Sequence, residues 1–224
     1  MSEESGASGG GRSDPRPPYP AWVTALQRVR RVVDALAGAG GVIARYAVLA
    51  AFAVGIVNVV LRYVGRTTGH TLVSNLYVDL QWQLFAVAVL AGLAYGMREG
   101  VNPRVDILTS GWSARRRAAL DLTGHLVLFV PFCVVAVAVT WPFAMTALGR
   151  AFDGSWATWQ VWLIWEQSAN PDGLPLGPVK LLLWLGFVGL LAQALAQAVG
   201  YLLVLSGRPE LGPHATSDDL AKAA

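Results

Sequence analysis

The sequence predicts an all-α membrane protein with four transmembrane helices, short interfacial amphipathic helices and disordered termini. Hydrophobic residues make up 54% of its 224 positions and charged residues only 14%, far from the balance of a soluble domain. Four apolar runs are long enough to cross a hydrocarbon core, which takes about 20 helical residues. A soluble bundle would need a polar face on every helix, and residues 129–139 contain no polar side chain beyond Cys133.

The predicted spans lie near residues 42–61, 80–97, 120–141 and 179–205. Together they form one predicted domain, residues 35–206. Residues 1–34 are predicted to be a cytoplasmic, mostly disordered tail, and residues 207–224 a second disordered cytoplasmic tail. Gly, Ser and Pro dominate the start of the chain, and such segments bury too little apolar surface to offset the entropy of folding.

The placement of Lys and Arg predicts the orientation, because basic loops resist translocation. One set lies before the first span, between spans two and three, or after the fourth: Arg12, Arg16, Arg28, Arg30, Arg31, Arg98, Arg104, Arg115, Arg116, Arg117, Arg208 and Lys222. The opposite side holds only Arg62, Arg66, Arg150 and Lys180, while Arg45 lies inside the start of span one. Both termini are therefore predicted to be cytoplasmic. The net charge of +3 reflects topology and indicates no nucleic-acid partner.

The segment Met97–Leu108, called the joint below, connects the second and third predicted spans. Asn102 is a good N-cap and Pro103 a good first helical residue, so a short helix is predicted to begin there. Its apolar stripe, suited to the headgroup layer, comprises Val105, Leu108 and Trp112. Ser113 is predicted to cap the next helix, which begins with Arg115, Arg116 and Arg117. Binding of anionic lipid and ordinary flanking charge explain these arginines equally well.

Small and polar residues recur inside the spans at helical spacing. The span-four stripe comprises Gly186, Gly189, Gln193, Ala196, Gln197 and Gly200; span one has Ala51, Gly55, Asn58 and Arg62; span two has Gly92 and Gly96. Helices in lipid pack closely through such residues, so the stripes are predicted to face protein. The alternative is that Asn58, Gln193 and Gln197 line a substrate path. Pro131 removes a backbone donor and predicts a kink in span three.

The segment between spans three and four is too polar to cross the membrane but rich in tryptophan. We predict an interfacial helix that carries Trp156, Trp159, Trp162 and Trp165. The alternatives are stacking against carbohydrate and docking of an outside protein. The segment ends in Glu166-Gln167-Ser168 and the turn-rich run Asn170–Pro175, which redirects the chain into span four.

These pieces together resemble the small permease subunit (DctQ-like) of tripartite ATP-independent periplasmic (TRAP) transporters. The family's first span typically ends like Asn58–Val64, and an acidic residue before span two matches Asp79, followed here by Leu80-Gln81-Trp82. Its joint usually reads His-Val-Arg-Val-Asp, where this chain has Asn102-Pro103-Arg104-Val105-Asp106. Larger members carry a pattern similar to Glu166-x-Ser168, Gly173-Leu174-Pro175 and Lys180. The resemblance covers about residues 35–205, with Asp in place of a frequent Glu at position 79 and Asn-Pro in place of His-Val.

The resemblance implies a subunit of the bacterial inner membrane and a division of labour. A periplasmic binding protein captures an organic acid and delivers it to a large sodium-coupled elevator permease. The small subunit is a scaffold for that permease and part of the docking platform. No catalytic, cofactor, metal or substrate site is expected. The residues expected to shape the structure or the partner interface are Asn58, Arg62, Asp79, Trp82, Arg104, Asp106, Glu166, Lys180, Gly186, Gly189, Gln193, Gln197 and Gly200. Of these, Arg62, Asp79, Arg104 and Asp106 are expected to anchor helix ends.

Two other functions remain open at this point. A membrane redox subunit could hold haem in a four-helix bundle, but of the three histidines only His125 lies inside a span. A self-sufficient small transporter acting as a homodimer is the second alternative. No nucleophile, base and orienting group converge in the sequence, so an enzyme is not expected.

Overall fold

The computed structural model describes residues 19–101 and 111–213, and these form helices without any strand. The helices are α1 (Ala21–Thr68), α2 (Asn75–Arg98), α3 (Ala114–Gly124), α4 (Val130–Ala147) and α5 (Gly177–Leu205). A π-helical turn, His125–Phe129, joins α3 and α4 into one continuous span. Four helical stretches are long and apolar enough to cross a membrane, which confirms the predicted all-α membrane fold.

The first helix is longer than its predicted span. It has 48 residues, which rise about 72 Å and exceed the roughly 40–45 Å of a whole bilayer. Residues 21–34, predicted to lie in a mostly disordered tail, are therefore helical. Contacts with the rest of the chain hold this segment, because Val23 is buried, Arg30 donates to Leu211 O and Asp34 accepts from Gln193.

Helices α1 and α2 run antiparallel in close contact. A Cβ atom added to Gly41 would lie 2.5 Å from the ring of Tyr95, and one added to Gly55 would lie 2.9 Å from Gln81 Nε2. Glycine allows the two backbones to approach at both levels, as is common between helices in membranes.

We name the two ends of the bundle after α2, whose first turns carry Asp79 and whose last residue is Arg98: the Asp79 end and the Arg98 end.

Helix α5 packs against each of the other four helices and contributes more buried positions than any other helix. Its central part meets α2 and α4 in a cluster of Met97, Cys133, Leu190 and Ala194. Nearer the Arg98 end it meets α3 in a second cluster of Ala118, Leu122, Ala198 and Tyr201. The described core is thus built around α5.

The third span is irregular where Pro131 was predicted to disturb it. Pro131 is in the first turn of α4, directly after the π-helical turn. A π-helical turn shifts the hydrogen-bond ladder by one residue and is a recognised cause of bends in helices. The structure thus places a π-helical turn directly before the proline, and the kink itself stays a prediction. Pro142 also lies inside α4.

The beginning of the joint is a Schellman motif at the end of α2. Gly100 has φ of +66°, its amide donates to Met97 O at 3.2 Å, and the Val101 amide donates to Gly96 O at 3.2 Å. The helix predicted from Asn102, with Arg104 and Asp106, lies outside the described residues. Beyond it, the predicted cap is confirmed, because Ser113 Oγ accepts from Arg116 N at 3.4 Å.

The predicted interfacial helix across Trp156–Trp165 is wrong. The described structure there is irregular and contains one 3₁₀ turn, Val161–Leu163, and an antiparallel bridge between Arg150 and Trp156. Side chains compete with the helix for backbone amides: Asp153 Oδ1 accepts from Ser155 N at 2.9 Å and Thr158 Oγ1 accepts from Gln160 N at 3.2 Å. Hydrogen bonds from Ser155 also hold the pKa of Asp153 below its usual value.

The predicted disorder after residue 207 is also wrong for residues 207–213. Pro209–Leu211 form a 3₁₀ turn that packs back against the start of α1. Arg30 NH1 donates to Leu211 O at 2.6 Å, and Tyr19 Oη donates to Glu210 Oε1 at 3.2 Å. Polar partners on α1 thus order a segment that has too little apolar surface to order itself.

Candidate functional site

The Asp79 end contains a fully buried carboxylate held by neutral donors. Asp79 Oδ1 accepts from Asn170 Nδ2 at 2.7 Å and from Trp82 Nε1 at 3.2 Å, and Asp79 Oδ2 accepts from Leu174 N at 3.0 Å. The residue itself has 0% of its surface exposed. Because hydrogen bonds to an ionised carboxylate are stronger than neutral ones, this contact ties the loop before α5 to the start of α2.

Gly173 is the residue that allows this loop to approach. A Cβ atom there would collide with Asp79 Oδ2 and would lie 2.6 Å from Ser168 Cβ. Two further side chains of α2 hold the same loop, since Asn75 Nδ2 donates to Pro171 O at 3.1 Å and Gln83 Nε2 to Pro175 O at 3.2 Å. Asp79 and the loop around Gly173, about ninety residues apart in the sequence, are therefore in direct contact.

The second contact of the loop is the ion pair between Glu166 and Lys180. Lys180 Nζ donates to Glu166 Oε2 at 2.5 Å and lies 4.1 Å from the centre of the Phe143 ring. The backbone of Glu166 also links the last residue of α4 to the residue before α5, since its amide donates to Ala147 O at 2.9 Å and its carbonyl accepts from Leu176 N at 2.7 Å. Glu166 and Lys180 therefore fix the loop between α4 and α5.

Arg62 is not part of these contacts. It is exposed on the last turns of α1, and the described residues give it no hydrogen bond or ion pair, so its expected role as a helix-end anchor is not seen. Instead it lines a shallow cavity of about 390 Å³ together with Arg66, His70 and Leu72. At Gly65, which also lines the cavity, helix α1 packs closely against the backbone of the following loop, since a Cβ atom there would lie 2.6 Å from His70 O.

The Arg98 end has a polar network around Asp34. Gln193 Nε2 donates to Asp34 Oδ1 at 2.9 Å, and Arg30 Nε lies 3.7 Å from Asp34 Oδ2. Arg98 NH1 donates to the backbone carbonyl of Asp34 at 3.1 Å. This network joins α1, α2 and α5 at one level of the bundle.

Gln197 extends the polar contacts one turn further along α5. Its Nε2 donates to Met97 O at 2.7 Å, and His125 Nε2 lies 3.2 Å from its Oε1. His125 Nδ1 lies 2.8 Å from Asp121 O. Both ring nitrogens of His125 are thus engaged with oxygens of the chain, which disfavours the haem-binding alternative.

The span-four stripe is buried within the chain, except for the half-buried Gly189. A Cβ atom on Gly186 would lie 3.2 Å from Leu90 O, and one on Gly200 would lie 2.8 Å from Pro213 Cγ, whereas one on Gly189 would find only Ala94 Cβ at 3.8 Å. In span one, Asn58 is buried as well, with 7% of its surface exposed. The side-chain amides of Gln193 and Gln197 therefore donate inside the bundle, whereas the buried Asn58 Oδ1 and Gln193 Oε1 accept no hydrogen bond from the described residues.

Sequence reasoning missed the residues that complete these clusters. Asp34 and Arg30 were assigned to a tail, and Asn170 was treated only as a turn residue. A signal was present for the first pair, because Arg30 and Asp34 are four residues apart, the spacing of neighbours on a helix. Nothing in the sequence marks the partner of Asp79, since Asn170 is distant along the chain.

Residues 51–203 match the family described as tripartite ATP-independent periplasmic transporters, DctQ component. The chain belongs to this family. It is a small membrane subunit of a TRAP transporter, a multi-pass protein of the inner membrane, and its family consists of transporter subunits and not of enzymes. TRAP systems of this family operate with a large permease and a periplasmic binding protein. No curated protein and no solved structure matches the chain.

Proposed function

We propose that this chain is the fixed scaffold of a sodium-coupled TRAP transporter for organic acids. In this role it packs against the large permease, which holds the substrate and sodium sites. The observation that supports the proposal most is that the carboxylates in its described spans have partners within the chain. Asp34, Asp79 and Asp121 are the acidic residues of the four described spans, and each is engaged within the chain. None is left to coordinate a coupling ion.

A rigid bundle suits a scaffold. Polar contacts close the bundle at both ends: the Asp79 and Glu166 contacts fix the loop before α5, and the Asp34 network joins three helices at the other end. Moving transport elements typically have broken helices and exposed polar groups near the bilayer midplane. The side-chain amides of Gln193 and Gln197 donate to Asp34 and to Met97 O inside the bundle, and these contacts favour a static role over a substrate path.

The proposed orientation places the Arg98 end in the cytoplasm. The structure gathers Arg30, Arg98 and Arg208 at that end, where Arg208 stacks 5.3 Å from the ring of Trp22. Basic residues mark the cytoplasmic side of membrane proteins. Arg115, Arg116 and Arg117 are at the same end and would meet anionic headgroups there. Both described ends of the chain then face the cytoplasm.

The periplasmic docking platform would lie at the Asp79 end. The irregular segment before α5 exposes large aromatic side chains: Phe152 is 103% exposed, Trp159 79% and Trp162 50%. Trp and Phe are enriched at protein interfaces and at the membrane–water boundary. We assign these side chains to the platform on which the periplasmic binding protein sits.

Co-purification with the large permease tests the proposal. The chain would be expressed with and without the neighbouring large permease and isolated in mild detergent by a tag on this chain. We expect a stable complex at fixed stoichiometry. A chain that is monodisperse alone and never retains the permease would contradict the scaffold role, and a Soret band in the purified protein would favour the redox alternative instead.

A further inference from the structure

Arg45 is a charged residue in the membrane-spanning part of α1. It is exposed, and no described residue forms a hydrogen bond or ion pair with it. Its neighbours on the same surface are apolar, with Val42 52% and Leu49 59% exposed. An arginine inside a bilayer is expensive to leave unpaired, so this residue calls for a partner outside the chain.

The packing of α1 on α2 gives the depth of Arg45. Gly38 lies opposite Arg98, Gly92 opposite Ala44, and Gly55 opposite Gln81. The stretch of α2 from Asp79 to Arg98 rises about 28 Å, close to the roughly 30 Å of a hydrocarbon core. Arg45 is about two helical turns, or about 10 Å, inside the level of Arg98. It therefore lies within the apolar layer.

Arg45 is part of a regular exposed row that we call the α1 seam. The row follows alternating steps of three and four residues, the spacing with which helices pack side by side, and comprises Val42, Arg45, Leu49, Phe52, Ile56 and Val59. All six side chains are exposed.

The third span provides the contrast within the same molecule. Between residues 126 and 139 its exposed side chains are all apolar, and they include Val127, Leu128, Phe132, Val135 and Val139. Such a face suits lipid, which offers no partner for a charge. The α1 seam differs because it places a guanidinium at depth, and a guanidinium pairs best with a carboxylate through two parallel hydrogen bonds.

We propose that the α1 seam docks on a transmembrane helix of the large permease that presents a carboxylate to Arg45. This inference rests on the proposed function, since it requires a large permease partner. The alternative occupant of this surface is lipid. Side chains on a helix tilt toward its N-terminus, which for α1 lies at the Arg98 end, so Arg45 would then bind a lipid phosphate at that end.

Photo-crosslinking in membranes that contain both subunits tests the docking face. A photoreactive amino acid would replace Leu49 or Phe52 in the seam, which are 59% and 69% exposed, or Leu128 or Val135 of the third span, which are 71% and 61% exposed. We expect adducts with the large permease from the seam and none from the third span. Adducts only with lipid or with a second copy of the chain, while the permease still co-purifies, would overturn the inference. Loss of co-purification would instead contradict the proposed function.

Substitution of Arg45 tests the carboxylate. We expect Arg45→Gln to lower the amount of permease retained by about tenfold, the effect of losing a charge-assisted interaction, with partial rescue by Arg45→Lys. Arg28→Gln is the matched control, an exposed arginine of α1 beyond the spanning part, and should leave retention unchanged. The helix content of each variant alone checks folding. Equal retention by Arg45→Gln and the unsubstituted chain would overturn the proposed pairing.

Discussion

Replacement of Gly173 by alanine should destabilise the protein, whereas the same replacement at Gly189 should not. At Gly173 the new methyl group would lie 2.6 Å from Ser168 Cβ and would collide with the Asp79 carboxylate. Overpacking of this kind costs about 1–3 kcal/mol, because the loop must shift away from α2. At Gly189 the methyl group would find only Ala94 Cβ, at an ordinary 3.8 Å. Alanine stabilises a helix by up to about 1 kcal/mol relative to glycine.

Thermal unfolding in detergent, followed by tryptophan fluorescence, measures both effects. For a chain of this size, 1 kcal/mol corresponds to a shift of about 2–4 °C in the unfolding midpoint. Gly173→Ala should therefore lower the midpoint by roughly 2–12 °C. Gly189→Ala should leave it unchanged or raise it slightly. If Gly173→Ala had no effect, or if Gly189→Ala destabilised the protein equally, the contacts assigned to the two glycines would be wrong.

Three further substitutions test the polar contacts. Asp79→Asn should accelerate hydrogen exchange of the Leu174 amide, which loses a charged acceptor; unchanged exchange would remove the proposed role of this carboxylate. Gln197→Leu should destabilise the bundle by about 0.6–1.7 kcal/mol, the range for a hydrogen bond between membrane helices, without altering the KM for uptake by the full transporter. A changed KM would favour the substrate path instead. Arg30→Ala should release residues 207–213 and speed proteolysis after Arg208, and equal cleavage would show that Arg30 does not hold the segment.

Apolar length was sufficient to predict the four spans. The four spans follow from the cost of burying backbone polar groups in lipid, which only long apolar helices avoid. The span-four stripe was equally readable, because Gly186, Gln193 and Gln197 interrupt a Leu-rich helix at helical spacing. These features depend on residues close together in the sequence.

Long-range contacts were not predictable in the same way. The tryptophan-rich segment was predicted to be an interfacial helix from its tryptophans, which recur every three residues, but local hydrogen bonds of Asp153 and Thr158 determine its backbone. Residues 207–213 carry no apolar pattern, and they are ordered by Arg30 from the other end of the chain. The partner of Asp79 is about ninety residues away. The last two outcomes depend on contacts between distant parts of the chain, which a single sequence does not reveal.

Uptake by reconstituted subunits is the most direct test of the scaffold role. Proteoliposomes would contain this chain alone, the large permease alone, or both, each with the periplasmic binding protein, labelled organic acids and a sodium gradient. We expect sodium-dependent uptake only when both membrane subunits and the binding protein are present. Uptake by vesicles that contain this chain as their only membrane protein would show that it is a transporter in its own right and would contradict the scaffold role.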